Sequence, residues 1–148
     1  DVCSSDLYFN VGKASTSGVE TAVARDLERV RVGLSASTLR SRDLNTGLKL
    51  LRRPEISGAA ELGYHWSDLL FSALQFRYVG GREDIHPTLF SRQSMPAFFT
   101  LEANATYAFR DGWKLKARGE NLLNRHYQQT SGYGTAKLSG YLGIEANL

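Results

Sequence analysis

Between Trp113 and Glu120 charge appears at every second residue. Trp113, Leu115, Ala117 and Gly119 fall on one side of an extended chain, and Lys114, Lys116, Arg118 and Glu120 fall on the other. A one-residue slip would exchange the two sets completely, so whatever this segment pairs with, its register is fixed.

The same period of two recurs along the chain. In 97–110, Phe99, Leu101, Ala103, Ala105, Tyr107 and Phe109 oppose Thr100, Glu102, Asn104, Thr106 and Arg110. In 54–66, Ile56, Gly58, Ala60, Leu62, Tyr64 and Trp66 oppose Glu55, Ser57, Glu61 and His65. Segment 69–80 sets Leu70, Leu74, Phe76 and Tyr78 against Gln75 and Arg77, with Leu69 and Phe71 blurring the pattern. Segment 29–42 sets Val30, Val32, Leu34 and Ala36 against Arg29, Arg31, Ser35 and Ser37. Weaker alternation marks 16–25 (Val19, Thr21 and Val23 against Glu20) and 138–148 (Leu142, Ile144, Ala146 and Leu148 against Tyr141, Glu145 and Asn147). Seven antiparallel strands are expected.

Their connections sort by length. Ser67-Asp68 and Arg110-Asp111-Gly112 are short and flanked by Trp66 and Trp113; roughly 43–53, 81–96 and 122–137 are long and polar. Short turns at one end, long loops at the other and aromatics beside the short ones describe the wall of an outer-membrane β-barrel. Tyr64, Trp66, Tyr107, Phe109 and Trp113 would then form a girdle at the short-turn interface. A soluble β domain also alternates, but it does not sort its turns this way. Seven strands leave two open edges, and unpaired backbone in hydrocarbon is costly, so the expected wall is part of a larger barrel.

Composition agrees with this reading without deciding it. No run approaches the roughly 18 apolar residues of a membrane-spanning helix. The mean hydropathy of −0.31 suits a wall in which only alternate residues face lipid. A net charge of +3, from 18 basic and 15 acidic residues mixed along the chain, gives no nucleic-acid footprint. No secretion signal is visible although such a protein needs one, so the chain is expected to lack its N-terminal part. Asp1, Val2, Cys3, Ser4, Ser5, Asp6 and Leu7 match a reading-frame translation of a common sequencing-library adapter. Residues 1–7 are therefore expected to be non-native, with native sequence (8–148) beginning near Tyr8 and Cys3 carrying no redox or disulfide role.

The tail carries a specific resemblance. Glu120-Asn121-Leu122-Leu123-Asn124, then His126-Tyr127, then Gly132-Tyr133, closely resembles the end of TonB-dependent outer-membrane receptors. Upstream, Asn10-Val11-Gly12-Lys13-Ala14 and Gly18-Val19-Glu20 are similar to another strand of that family. Asn121 and Asn124 suit local side-chain-to-backbone bonds that fix a turn. The closing strand, Tyr141 to Leu148, resembles the signal read by the barrel-assembly machinery, although it ends on Leu148 where an aromatic is usual. The resemblance implies a 22-stranded barrel with an N-terminal plug, of which this chain forms the last seven strands. It also implies localisation in the outer membrane of a Gram-negative bacterium, and uptake of a scarce ligand with energy relayed by TonB through an N-terminal region. Val79-Gly80-Gly81-Arg82 and Gly132-Tyr133-Gly134-Thr135-Ala136 look most like cobalamin-type receptors, with ferric-siderophore receptors as the alternative. A passive porin or a barrel enzyme would be the readings outside this class.

Little else in the sequence suggests chemistry. His65, His86 and His126 lack metal-ligand spacing, and no nucleophile motif is present, so neither a metal nor another cofactor is expected, nor catalysis. Asn45, Thr46 and Gly47 are turn residues without functional weight. Gly80, Gly81, Gly132 and Gly134 flank loops and are expected to ease turns rather than cradle phosphate. Lys114, Lys116 and Arg118 form a lumenal basic stripe expected to partner Glu102, Glu120 and the plug surface. For ligand contact the long loops are favoured: Arg82, Phe90 and Arg92 in one, and Tyr127, Gln128, Gln129 and Tyr133 in another. Ordinary loop packing is the competing explanation for these seven.

Overall fold

The computed structural model describes residues 12–147. Seven long strands form one antiparallel sheet in the order β1-β2-β3-β4-β7-β8-β9. They are β1 (Ala14–Leu27), β2 (Val30–Asp43), β3 (Ile56–His65), β4 (Leu70–Val79), β7 (Phe98–Arg110), β8 (Trp113–Glu120) and β9 (Ser139–Ala146). A separate hairpin, β5 (Arg82–Ile85) with β6 (Arg92–Met95), lies within the expected loop 81–96. The all-β wall therefore has its seven expected strands in an open sheet that does not close on itself. The small hairpin is an addition: two four-residue strands rich in charge give too little alternation to be read from sequence.

Cross-strand register aligns the apolar sets. One row runs Val23, Leu34, Ala60, Phe76 and Leu101 across five strands. The next row on the opposite face runs Gly33, Glu61, Gln75 and Glu102. On the first face Leu34, Leu62, Leu142 and Ile144 are exposed, and the only buried hydrophobic residues among those described are Ala73 and Met95. A wall with this much apolar surface and almost no core needs a nonaqueous solvent on that side, which is lipid.

The opposite face is polar and internally paired. Gln75 donates to Glu61 at 2.9 Å, and Arg118 contacts Glu120 at 2.7 Å and Glu102 at 3.3 Å. Lys116 pairs with Glu145 of β9, and Lys114 lies 4.0 Å from the same carboxylate. The basic stripe thus divides: only Arg118 takes the expected Glu102 and Glu120, because register sets Lys114 opposite Glu145. Phe71, which blurred the pattern of its strand, shares this face and packs against His65 at 4.6 Å.

The short connections lie between β1 and β2, β3 and β4, and β7 and β8. Ser67 Oγ accepts from the N–H groups of Leu69 and Leu70 in the second. In the third, Gly112 sits at φ +75°, where a Cβ would come 2.5 Å from the Asn147 carbonyl oxygen. Aromatics gather at this end. Tyr64 and Trp66 meet edge-on at 4.9 Å, Phe109 lies 6.5 Å from Trp113, and the Trp66 indole N–H donates to Ser72 Oγ at 2.9 Å. Indoles with a satisfied polar edge suit the membrane interface.

Candidate functional site

At the other end the three long connections fold onto one another. The first, 44–55, starts at Asp43, whose Oδ1 accepts from the N–H of Asn45 at 2.8 Å. It then runs back along β2, with Leu50 N–H donating to Ser41 O, and its Arg52 N–H donates to Glu83 O of β5 at 2.7 Å. The second is built around the β5–β6 hairpin. His86 closes the hairpin tip: its Nδ1 accepts from Thr88 and Leu89 N–H at 3.2 and 3.1 Å.

The third connection, 121–138, is organised by two asparagines in the left-handed region, Asn121 at φ +49° and Asn124 at φ +47°. Asn121 Nδ2 donates to the carbonyls of Arg125 (2.9 Å) and Ala136 (3.0 Å), and its Oδ1 accepts from Arg125 N–H at 2.9 Å. Asn124 Oδ1 accepts from Leu138 N–H at 3.2 Å. Short amides tolerate this backbone conformation and bond to it locally, which is why this motif needs asparagine at both positions.

Two charged residues of β5 join the three. Asp84 is fully buried. Its Oδ1 accepts from Arg52 Nε (2.9 Å) in the first connection and from Ile85 N–H (2.8 Å), and its Oδ2 accepts from Ser131 N–H (2.8 Å) in the third. Burial pushes this carboxyl up, but the Ser131 N–H, the Arg52 guanidinium and the Ile85 N–H outweigh it and hold it below the usual carboxylate range. Arg82, also buried, donates through Nη2 to the carbonyls of Gln128 (2.5 Å) and Gln129 (2.7 Å). Its guanidinium carbon lies 5.3 Å from the Phe98 ring centre, and Phe98 stacks on Tyr127 at 4.3 Å. Burial lowers the Arg82 pKa, with Asp84 opposing. Gln93 donates to Ser131 Oγ, and Gly132 (φ +83°) fits against Pro87, where a Cβ would come 2.7 Å from Cγ.

Of the seven residues favoured for ligand contact, the structure brings five into this cluster. Arg82 is buried against the backbone of Gln128 and Gln129, Tyr127 stacks on Phe98, and Arg92 pairs with Glu83 and donates to Lys49 O. Phe90 and Tyr133 stand apart, 68% and 70% exposed, on the tips of the second and third connections. Sequence reasoning passed over Asp84, Arg52 and Ser131. The one signal for Asp84 was its place two residues from Arg82, which puts both on one side of a strand.

Beneath the third connection, on the polar face of the wall, lies a recess of about 250 Å³. Glu102 and Glu120 line its wall side, and Tyr127, Gln129, Thr135 and Lys137 line its loop side. It offers two carboxylates, an ammonium, hydroxyls and an aromatic ring to a polar molecule. No three groups of metal-ligating type converge among the described residues.

A lipid-facing wall, a polar inner face and a tied apical cap define a segment of an outer-membrane β-barrel. The sequence profile of the family described as TonB dependent receptor-like, beta-barrel, matches residues 1–122. The chain belongs to that family, and its place is the outer membrane. The vitamin B12 transporter BtuB of Vibrio cholerae serotype O1 is 29% identical over 145 residues, which covers 93% of this chain and 23% of the transporter. The chain thus spans about a quarter of the length of this curated relative. Among solved structures, the ferripyoverdine receptor of the outer membrane of Pseudomonas aeruginosa superposes with a TM-score of 0.75 at 16% identity, covering 90% of this chain and 19% of the receptor. The ferric-catecholate import receptor Fiu from Escherichia coli K12 gives 0.76, also at 16%, covering 90% and 21%. At these identities the likeness is one of fold.

Proposed function

We propose that this wall belongs to a receptor that binds a scarce small molecule at the cell surface and admits it with energy supplied through TonB, and that the molecule is a cobalamin. The observation that carries the choice of ligand is the likeness of almost the whole chain to a vitamin B12 transporter. A ferric siderophore is the second reading, favoured by the fold of the ferripyoverdine receptor. The role is transport rather than catalysis.

In this reading Phe90 and Tyr133 meet the ligand first, and Tyr127 and Gln129 meet it at the recess. Arg82, Arg92 and the backbone of Gln128 hold the loops in place. The concave polar face between β1 and β4, where Glu20 and Arg77 flank Ser35 and Ser57, suits packing against an internal plug. TonB would act through a region preceding these strands, and the barrel-assembly machinery would read β9. Residues 1–7, which lie outside the described residues, are proposed to be adapter-derived.

The test uses the full-length receptor in a Gram-negative strain deleted for its own cobalamin and siderophore receptors. Growth that requires cobalamin, restored only when TonB is present, is the expected result. Restoration on a ferric siderophore alone would move the assignment to the second reading. Uptake that persists without TonB would make the protein a passive pore.

A further inference from the structure

The three long connections differ from ordinary surface loops in where their bonds go. Each is tied to the wall beneath it. Leu50 N–H donates to Ser41 O of β2 at 3.1 Å, and Leu39 N–H of β2 donates to Glu55 O at 2.8 Å. Gly80 N–H, at the start of the second connection, donates to Ile56 O of β3 at 2.8 Å. Leu122 N–H donates to Leu101 O of β7 at 2.9 Å, and the stack of Tyr127 on Phe98 seats the third connection on the same strand.

Each connection is also tied to its neighbour. Between 44–55 and the hairpin run the Arg52 N–H bond to Glu83 O, the Arg52 guanidinium bond to Asp84 and the Arg92 bond to Lys49 O. Between the hairpin and 121–138 run the Arg82 bonds to two carbonyls, the Ser131 N–H bond to Asp84 and the Gln93 bond to Ser131 Oγ. Arg52 keeps φ +58°, a strained conformation for a long side chain, and is held there at both its N–H and its guanidinium.

The burial of these ties decides how the cap can move. Arg82, Asp84, Asn121 and Ser131 are all 7% exposed or less. Lifting one connection alone would take partners from Asp84 or Arg82 while another connection still covers them. A buried charge stripped of its partners is expensive. Moving all three together breaks none of the bonds between them. The same bonds fix the loop side of the 250 Å³ recess, where the Thr135 hydroxyl donates to Tyr127 O at 2.8 Å and Asn121 bonds to Arg125 and Ala136.

We propose that the three connections form one rigid body, a fixed jaw over this part of the lumen, and that the recess beneath it is formed before any ligand arrives. Closure over a bound ligand is then made by other parts of the receptor moving toward this jaw. A preformed recess also avoids the ordering cost that separate loops would add on binding. The inference rests on the reading of the chain as a receptor segment, not on which molecule is imported.

The test places spin labels in pairs on cysteines at Leu48, Leu89 and Gly134 of the full-length receptor in a lipid bilayer. These positions lie one on each connection and are exposed, and a side chain at Gly134 meets nothing within 4 Å. Pulsed dipolar spectroscopy reads the three distances. Without ligand each pair should give one narrow peak, and Asp84→Ala should broaden all three about twofold or more. With saturating cyanocobalamin, its binding checked by calorimetry on the same sample, each distance should change by less than about 2 Å. Broad or double peaks in the unliganded receptor would overturn the proposal, as would unchanged widths in a folded Asp84→Ala receptor. A larger shift of any one pair on binding would overturn it too. A sample that binds no cyanocobalamin counts against the cobalamin assignment alone, and its unliganded peaks still decide whether the cap is one body.

Discussion

The wall and its cap bury opposite things. In the wall the apolar side chains face outward and the ion pairs face inward, so the strands have almost no hydrophobic interior. The cap lies among water-exposed loops, yet apart from Met95 its buried side chains are polar: Arg82, Asp84, Asn121 and Ser131. The difference follows from where each region finds partners for its backbone. Ladder hydrogen bonds satisfy the strands, leaving their side chains to match lipid on one side and water or protein on the other. The three long connections share little ladder with one another, and buried N–H and C=O groups must still be paired. Asp84 takes two N–H groups, Arg82 takes two carbonyls, and Asn121 takes two carbonyls and one N–H. Charge is buried in the cap because backbone there has no other partner.

The comparison breaks most sharply in the wall. Leu34→Lys puts an ammonium on the outward face near mid-strand, at a cost of about 2–4 kcal/mol if it sits at the bilayer midplane. Gln75→Lys puts the same group on the inner face, beside Glu61. In the full-length receptor the first should abolish most of the compact, heat-modifiable barrel band on an unheated gel, and the second should leave it intact. If both variants assembled equally, the assignment of lipid and lumen faces would fail.

In the cap the expected loss is smaller and local. Asp84→Ala strands the Ser131 and Ile85 N–H groups and the Arg52 guanidinium. Leaving such groups unpaired costs roughly 1–3 kcal/mol. Amide exchange in 44–55 and 121–138 should quicken about tenfold to a hundredfold while exchange in β2, β3 and β4 is unchanged. Acid should act on the same bond. The carboxyl of Asp84 is held below its unfolded value of about 3.9, so its contribution is complete above that pH and is lost as pH falls through the depressed value. A spin label at Ser91 should report the same loop mobility at pH 8 and pH 5, then rising mobility below about pH 4. Asp84→Asn should remove that low-pH step. An unchanged step would place the titrating group elsewhere.

The same contrast explains what the sequence could disclose. The strands were legible because each face repeats at period two over eight or more residues, and a charged row such as Lys114, Lys116 and Arg118 allows one register. The turn at Glu28 and Arg29 was visible only as a gap between strands, since neither residue is a usual turn former, although Glu28 takes φ +38°. The asparagine pair was legible too, because its bonds are local. The cap junction was not. Asp84 meets Arg52 and Ser131 across 32 and 47 residues, and no periodicity connects them. A buried Arg82 and an exposed one look alike in a sequence, so all seven loop residues were grouped as possible ligand contacts.

The finest division falls inside the cap, between residues that shape it and residues that face outward from it. Phe90 and Tyr133 have no ring partner among the described residues and stand exposed on adjoining connections. Such side chains add little to folding but offer large, stiff contact area to a ligand. Phe90→Ala and Tyr133→Ala should each weaken cobalamin binding to the full-length receptor about fivefold to tenfold, measured calorimetrically, with loop exchange unchanged. Arg82→Lys should do the reverse at first. It keeps the charge but loses the fork that holds two carbonyls, so loop exchange should quicken, and affinity should fall only as far as the loosened loops require. Loss of affinity without faster exchange in Arg82→Lys would make that arginine a ligand contact after all, and the line between shaping and contacting residues would have to be redrawn through it.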